Sequence, residues 1–230
     1  MFTGLIEAKG VISQINPMGN HARVTVRTEQ IDFSTVALGD SIAVNGVCLT
    51  VIEKKYHQFS ADVSSETLKC TCLGHYAVGK GVNLEQALLP TTRLGGHLVS
   101  GHVDGIGRVV ELKPEANILH LFIEPPLELM KYIAAKGSIC VDGVSLTVNE
   151  IIGSPATRFR LTIVPHSLCN THIDRYQLGT EVNLEVDLLA RYTERLLSFE
   201  AEHCQTPPNQ DKTVKKMGLT REKLNDLGFD

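Results

Sequence analysis

Residues 44–51 read VNGVCLTV and residues 141–148 read VDGVSLTV. Two near-identical octets 97 residues apart put the repeat first, because a fixed internal offset decides the architecture before any single residue does. The same offset lays MFTGLIEAKG (1–10) over LVSGHVDGIG (98–107). After a three-residue adjustment, an offset of 100 lays FSADVSSETL (59–68) over FRLTIVPHSL (159–168), and GVNLEQALL (81–89) over EVNLEVDLL (181–189). Four blocks in one order define a tandem duplication.

Within each copy the apolar period is two. RVTVRTE, FSADVSSE and RFRLTIV alternate in the manner of half-buried strands. Asn45-Gly46 and Asp142-Gly143 are hairpin turns of the type whose two central residues both need positive φ. Many short strands with frequent Gly turns predict closed barrels, which leave no exposed edge. The expected fold is all-β: two similar six-stranded Greek-key barrels in tandem, then a C-terminal α-helix. Parts of 66–76 and 128–135 read as short helices inside the barrels. The loop LPTTRLGGH sets the boundary, giving barrels over 1–97 and 98–187, a helix over 188–205 and a flexible tail over 206–230.

The helix LLARYTERLLSFEAEH places Leu189, Tyr192, Leu196, Phe199 and His203 on one narrow stripe. A helix packed on its own barrel and an oligomer seam both fit; the narrowness favours the seam. Pro207 and Pro208 end it, and Thr220 could cap a last turn ending at Gly228.

At 230 residues the chain has room for two cores, and 43% hydrophobic with 21% charged residues is ordinary globular composition. A net charge of −4 and a pI of about 6.1 leave no electrostatic footprint for nucleic acid. No run approaches the roughly 20 apolar residues of a membrane span, and the start lacks an export signal, so a cytoplasmic location is expected. There the six cysteines stay reduced. With no Trp and 5% aromatics, a flat ligand would be held by backbone and small polar groups.

On the strand after each turn, Val47, Leu49 and Val51 face one way and Cys48 with Thr50 the other; Ser145 and Thr147 repeat this against Val144, Leu146 and Val148. A lone strand Cys is more often a small buried hydrophobe. His102 stands where the first copy has Leu5 and is the side chain suited to proton transfer near neutral pH, although a loop histidine needs no such role. GHVDGIG lacks the helix and βαβ unit of a dinucleotide loop. CTCLGH (70–75) and CNTH (169–172) do not superpose and lack a second ligand pair, so no metal is expected. DVSSET (62–67) and TIVPHS (162–167) read as strand-to-helix turns with capping hydroxyls. Lys136 and Ser41 read as solvated strand ends.

Assembled, these blocks closely resemble riboflavin synthase, a family whose chains begin MFTG and carry paired NGxCLTV and DGxSLTV segments; GGHLVSGHVDG (95–105) and LMKYIAAKG (129–137) extend the match to about residue 200. The resemblance implies dismutation of two molecules of 6,7-dimethyl-8-ribityllumazine to riboflavin and 5-amino-6-(ribitylamino)uracil, by transfer of a four-carbon unit and without a cofactor. It also implies a homotrimer with sites between subunits, and is compatible with docking onto lumazine synthase. By the same resemblance one lumazine meets Gly4, Leu5, Ile6, Cys48, Leu49, Thr50, Asp62, Val63, Ser64, Ser65, Glu66 and Thr67, with Phe2 in support. The other meets Gly101, His102, Val103, Lys136, Ser145, Leu146, Thr147, Thr162, Ile163, Val164, Pro165, His166 and Ser167. The chemistry falls to His102, Ser145 and Thr147, with Cys48, Ser41 and Asp187. The alternative implied is a lumazine protein, which binds a lumazine or flavin without reacting it.

Overall fold

A computed structural model describes residues 1–203. The expectations for Cys204, the helix end at 205 and the tail 206–230 lie outside the described residues.

The first sheet comprises β1 (Ala8–Met18), β2 (His21–Arg27), β3 (Ser41–Val44), β4 (Val47–Thr50), β5 (Glu53–Lys55), β6 (Gln58–Val63) and β7 (Gly81–Gln86), in the order β4-β3-β7-β1-β2-β6-β5. The second comprises β8 (Gly105–Glu115), β9 (Ile118–Glu124), β10 (Ser138–Val141), β11 (Val144–Gly153), β12 (Ala156–Ile163) and β13 (Glu181–Val186), closed in the order β10-β11-β12-β9-β8-β13. The two orders are one topology. β4 and β5 are a single strand interrupted at Val51 and Ile52, whose N–H groups donate to Asp40 O and Ser60 O; their counterpart β11 is continuous, with a register shift between Val148 and Glu150. All pairings are antiparallel, giving two barrel-like six-stranded sheets.

The alternation read from the octets holds in the first; in the second Ser145 and Leu146 are both half-buried. Val47, Leu49 and Val51 are buried, Cys48 is half-buried and Thr50 exposed; Val144 and Val148 are buried while Thr147 is exposed. Asn45, Gly46, Asp142 and Gly143 all have positive φ (45°, 78°, 44° and 82°), as the turn type requires. The three-residue adjustment in the repeat falls in the β11–β12 hairpin, which contains a cis Ser154–Pro155 peptide.

After β6 and β12 the chain enters α1 (Ser65–Cys70) and α2 (Pro165–Asn170), each followed by a single 3₁₀ turn, at Cys72–His75 and His172–Arg175. Ser64 caps α1 by accepting from Thr67 N–H, whereas Val164 caps α2 without a side-chain bond and Pro165 fills the first helical position, where its missing N–H costs nothing. A 3₁₀ helix spans Leu127–Tyr132, overlapping the expected 128–135 segment. Each barrel has its own core, centred on Ile12, Phe59 and Leu84 in one and Leu121, Phe159 and Leu184 in the other. Phe2, Ala43, Val99 and Cys140 form a third cluster between them. α3 (Leu188–His203) follows β13, and Arg191 in its first turns bonds Asp104 and the Tyr132 hydroxyl. Among the described residues no helix is long and apolar enough to cross a membrane.

Candidate functional site

The segment that leads into each barrel crosses to the other. Phe2 and Val99, equivalent under the offset of 97, pair with each other: Phe2 N–H donates to Val99 O (2.7 Å) and Val99 N–H to Phe2 O (3.1 Å). An approximate twofold axis therefore passes between them. One step further on, Gly4 O accepts from Ser145 N–H (2.7 Å), and Gly101 O accepts from Cys48 N–H (2.9 Å). A Cβ on Gly4 would lie 2.6 Å from Ser145 Cβ, and one on Gly101 2.6 Å from Cys48 Cβ; both glycines also have positive φ (75° and 81°), so no other residue fits. Ile6 accordingly packs on the second barrel's core and Val103 on the first's.

This crossing revises the expected grouping. Gly4, Leu5 and Ile6 sit with Ser145, Leu146 and Thr147; Gly101, His102 and Val103 sit with Cys48, Leu49 and Thr50. The offset makes Gly4 equivalent to Gly101 but says nothing about which octet either one touches. His102 thus belongs with Cys48 and not with Ser145; its side chain is exposed, as is its counterpart Leu5.

Ser145 instead meets a histidine from the loop that joins the two barrels. His97, only 9% exposed, holds Ser145 Oγ at 2.7 Å through Nδ1, and its backbone N–H donates to Thr3 O. His97 Nε2 is buried without a hydrogen-bond partner. Burial lowers the His97 pKa below 6.5, partly offset by the nearby Asp187 carboxylate, so the ring is neutral at physiological pH. A neutral imidazole beside a hydroxyl is a proton acceptor in place. Asp187 also accepts from Leu189 N–H at the start of α3.

Ser41 lies opposite Thr50 across β3 and β4, on the Cys48 face, and Ser138 repeats it opposite Thr147. Lys136 sits beside the second octet, its N–H donating to Val148 O at 2.7 Å. Its φ is +66°, a conformation unfavourable for a side-chain-bearing residue, where the first half has Gly39 at +93° making the same bond to Val51 O. Asp62, Val63, Ser64, Ser65, Glu66 and Thr67 run from the end of β6 into α1, and Thr162, Ile163, Val164, Pro165, His166 and Ser167 from β12 into α2. Val63 and Ile163 point into the cores, so they serve only through their backbone. Asp62 is held by Arg23 (2.8 and 3.1 Å), which keeps its carboxyl below the usual range; the counterparts His120 and Thr162 make a hydrogen bond of 3.1 Å. Phe2 is fully buried beside Gly101 and Cys48 and supports the crossing segment from below.

The axis itself is lined by polar groups. Asn45 Oδ1 accepts from Asn83 N–H (2.7 Å) and Asp142 Oδ1 from Asn183 N–H (2.8 Å). The two amides then reach across: Asn83 Nδ2 donates to Asp142 O (3.0 Å) and Asn183 Nδ2 to Asn45 O (2.9 Å). Asn45 Nδ2 donates to the Tyr76 hydroxyl (2.6 Å), whereas the Tyr176 hydroxyl donates to Asp142 Oδ2 (2.7 Å). The network brings the two octet turns into contact, with a Cβ on Gly46 only 2.8 Å from Gly143 N.

A family model described as a lumazine binding domain matches residues 3–87 and 100–187. The chain is 50% identical over 197 residues to the riboflavin synthase of Photobacterium phosphoreum, covering 86% of this chain and 89% of that one. It is 37% identical over 229 residues to the riboflavin synthase of Bacillus subtilis, covering both chains entirely. Among solved structures, LumP complexed with riboflavin shares 24% identity at a TM-score of 0.74, across 81% of this chain and 99% of that chain, a likeness of fold.

Proposed function

Because the chain belongs to the riboflavin synthase family, built from paired lumazine binding domains, we propose that its two crossed half-sites hold two copies of one substrate for the dismutation that the family name denotes. Two molecules of 6,7-dimethyl-8-ribityllumazine give one riboflavin and one 5-amino-6-(ribitylamino)uracil as four carbons pass from one ring to the other. The chain is a transferase of that kind and the reaction needs no cofactor.

The observation that supports the site assignment is the reciprocal pair of contacts Gly4–Ser145 and Gly101–Cys48, which brings a segment of each half onto the octet strand of the other. The C7 methyl of the lumazine is acidic because its anion delocalises into the ring. In our reading Ser145 Oγ and neutral His97 receive that proton, a normal contribution of a positioned base. Cys48, Thr50 and Ser41, with His102 at the rim, serve the ring held on the first barrel; Thr147 and Lys136 serve the other. Asp187 biases His97 electrostatically. The polar residues of 62–67 and 162–167 take the ribityl hydroxyls.

In the proposed assembly, a homotrimer, the first barrel (1–97) of one subunit faces the second (98–187) of another, and α3 makes the contact. Leu189, Tyr192 and Leu196 are 65%, 62% and 68% exposed along α3, a stripe that supports a seam between copies. A cytoplasmic location and association with lumazine synthase complete the proposal, the latter open to co-sedimentation. The test of function is anaerobic incubation of the purified protein with 6,7-dimethyl-8-ribityllumazine, followed by absorbance. One riboflavin should appear per two substrates consumed; tight binding without turnover would overturn the reading in favour of a lumazine protein, which binds its ligand without reacting it.

A further inference from the structure

We propose that Glu85 and Glu185 are crossed positioning residues: each is rooted in one barrel and sets the half-site of the other. Glu85 lies on β7 of the first barrel. Its Oε1 accepts from Thr3 N–H (2.6 Å) and Thr3 Oγ1–H (2.7 Å), and its Oε2 from Gly4 N–H (2.9 Å). Gly4 then offers its carbonyl to Ser145 of the second barrel. Glu185 lies on β13 of the second barrel and binds Ser100 N–H (2.5 Å), Ser100 Oγ–H (2.7 Å) and Gly101 N–H (2.9 Å). Gly101 in turn offers its carbonyl to Cys48 of the first.

Both carboxylates are buried, at 3% and 5% exposure. Only an acceptor-only group with two oxygens can satisfy two successive N–H groups and a hydroxyl at once. Burial leaves both pKa values raised although the three donors lower them, and each glutamate is a buried anchor bonded through both oxygens. A residue that merely stabilised its own barrel would have its effects there. The geometry instead sends each effect across the axis, through one glycine carbonyl to the backbone N–H of Ser145 or Cys48 in the proposed half-sites.

The inference rests on the half-site reading above, but its test needs no turnover. Hydrogen–deuterium exchange of the full chain is followed by mass spectrometry resolving 144–148 and 47–51. Glu85→Gln turns one acceptor edge into a donor facing Gly4 N–H and should speed exchange at Ser145 by about tenfold or more while leaving Cys48 unchanged. Glu185→Gln should do the reverse. Thr3→Val and Ser100→Ala, which each remove one hydroxyl bond, give the same crossed pattern more weakly if the glutamine variants do not fold. In parallel, riboflavin titrations should show weaker binding in all four. Loosening of the variant's own barrel, or equal loosening of both, overturns the proposal. A crossed pattern in a protein that makes no riboflavin would keep the positioning role and sink the function.

Discussion

Replacing Asp142 by Asn tests the axis network through its one asymmetry. Asp142 is buried, and desolvation raises its pKa from 3.8 to about 6 against the opposing bonds from Tyr176 and Asn183 N–H and the attraction of Lys80. A carboxyl whose folded pKa exceeds its unfolded value gives stability that is present below 3.8 and lost as pH rises through about 6. The whole span corresponds to about 3 kcal/mol, of which about 1.5 kcal/mol falls between pH 5 and 7.5. An amide does not titrate, and the fold already shows how it would sit: Asn45 accepts from Asn83 N–H and donates to Tyr76, so Asn at 142 would accept from Asn183 N–H and donate to a reversed Tyr176 hydroxyl. Urea midpoints of parent and variant are compared at pH 5 and 7.5. The difference should move by about 1.5 kcal/mol in the variant's favour as pH rises, other titrating groups cancelling. A flat difference would show that water reaches Asp142; movement in the parent's favour would show that Lys80 dominates, and either result refutes the desolvation argument.

Other consequences are more local. His97→Gln should cut kcat about 100-fold and abolish the acidic limb of the pH–rate profile, which lies below pH 6.5 in the parent because burial favours the neutral ring; an unchanged limb would place the base elsewhere. Lys136→Gly relieves a φ of +66° and should stabilise the fold by about 1 kcal/mol while weakening lumazine binding, measured by calorimetric melting and fluorescence titration. Unchanged binding would make Lys136 a passive strand end. Gly101→Ala drives a Cβ to within 2.6 Å of Cys48 Cβ and should cost several kcal/mol or prevent folding, whereas Gly39→Ala, with nothing within 4 Å, should cost about 1 kcal/mol by thermal denaturation. Leu196→Glu should dissociate the proposed trimer in sedimentation without lowering the melting of the barrels.

The topology was legible because a strand period of two, two Asn-Gly or Asp-Gly turns and a fixed offset all agree. Crossing was not legible, since the offset equates Gly4 with Gly101 in a crossed and an uncrossed pair alike. Asn83, Glu85, Asn183 and Glu185 stand in the aligned blocks GVNLEQALL and EVNLEVDLL, yet polar residues at alternate strand positions carry no mark of burial in the sequence. They are buried because the outer wall of each barrel at β7 and β13 is covered by the other half. His97 escaped for a related reason: Gly95 and Gly96 before it look like a linker, but a Cβ on Gly96 would lie 2.1 Å from Thr3 O, so the glycine marks close packing.

Where the halves diverge, the location separates structure from chemistry. At the axis, differences come in compensating pairs. Gly81 leaves space for the His172 ring, 2.7 Å from where a Cβ would stand, while its counterpart Glu181 shares a cleft with the smaller Cys72. Asn45 donates to Tyr76, and Asp142 accepts from Tyr176, so a change of side chain is met by a reversed hydrogen bond. At the half-sites one pair compensates, His120 with Thr162 standing for Arg23 with Asp62, but other differences do not. Leu5 becomes His102, Cys48 becomes Ser145, and Gly39 becomes Lys136 at the same positive φ, with the backbone strain retained. Strain kept without a packing gain needs another benefit, and two identical substrates that must end as different products supply one. One ring gives four carbons and the other receives them, so pockets that stayed identical would give neither ring a reason to react first. Under the proposed function, the uncompensated positions are where donor and acceptor would become distinguishable, and the compensated ones preserve the twofold frame.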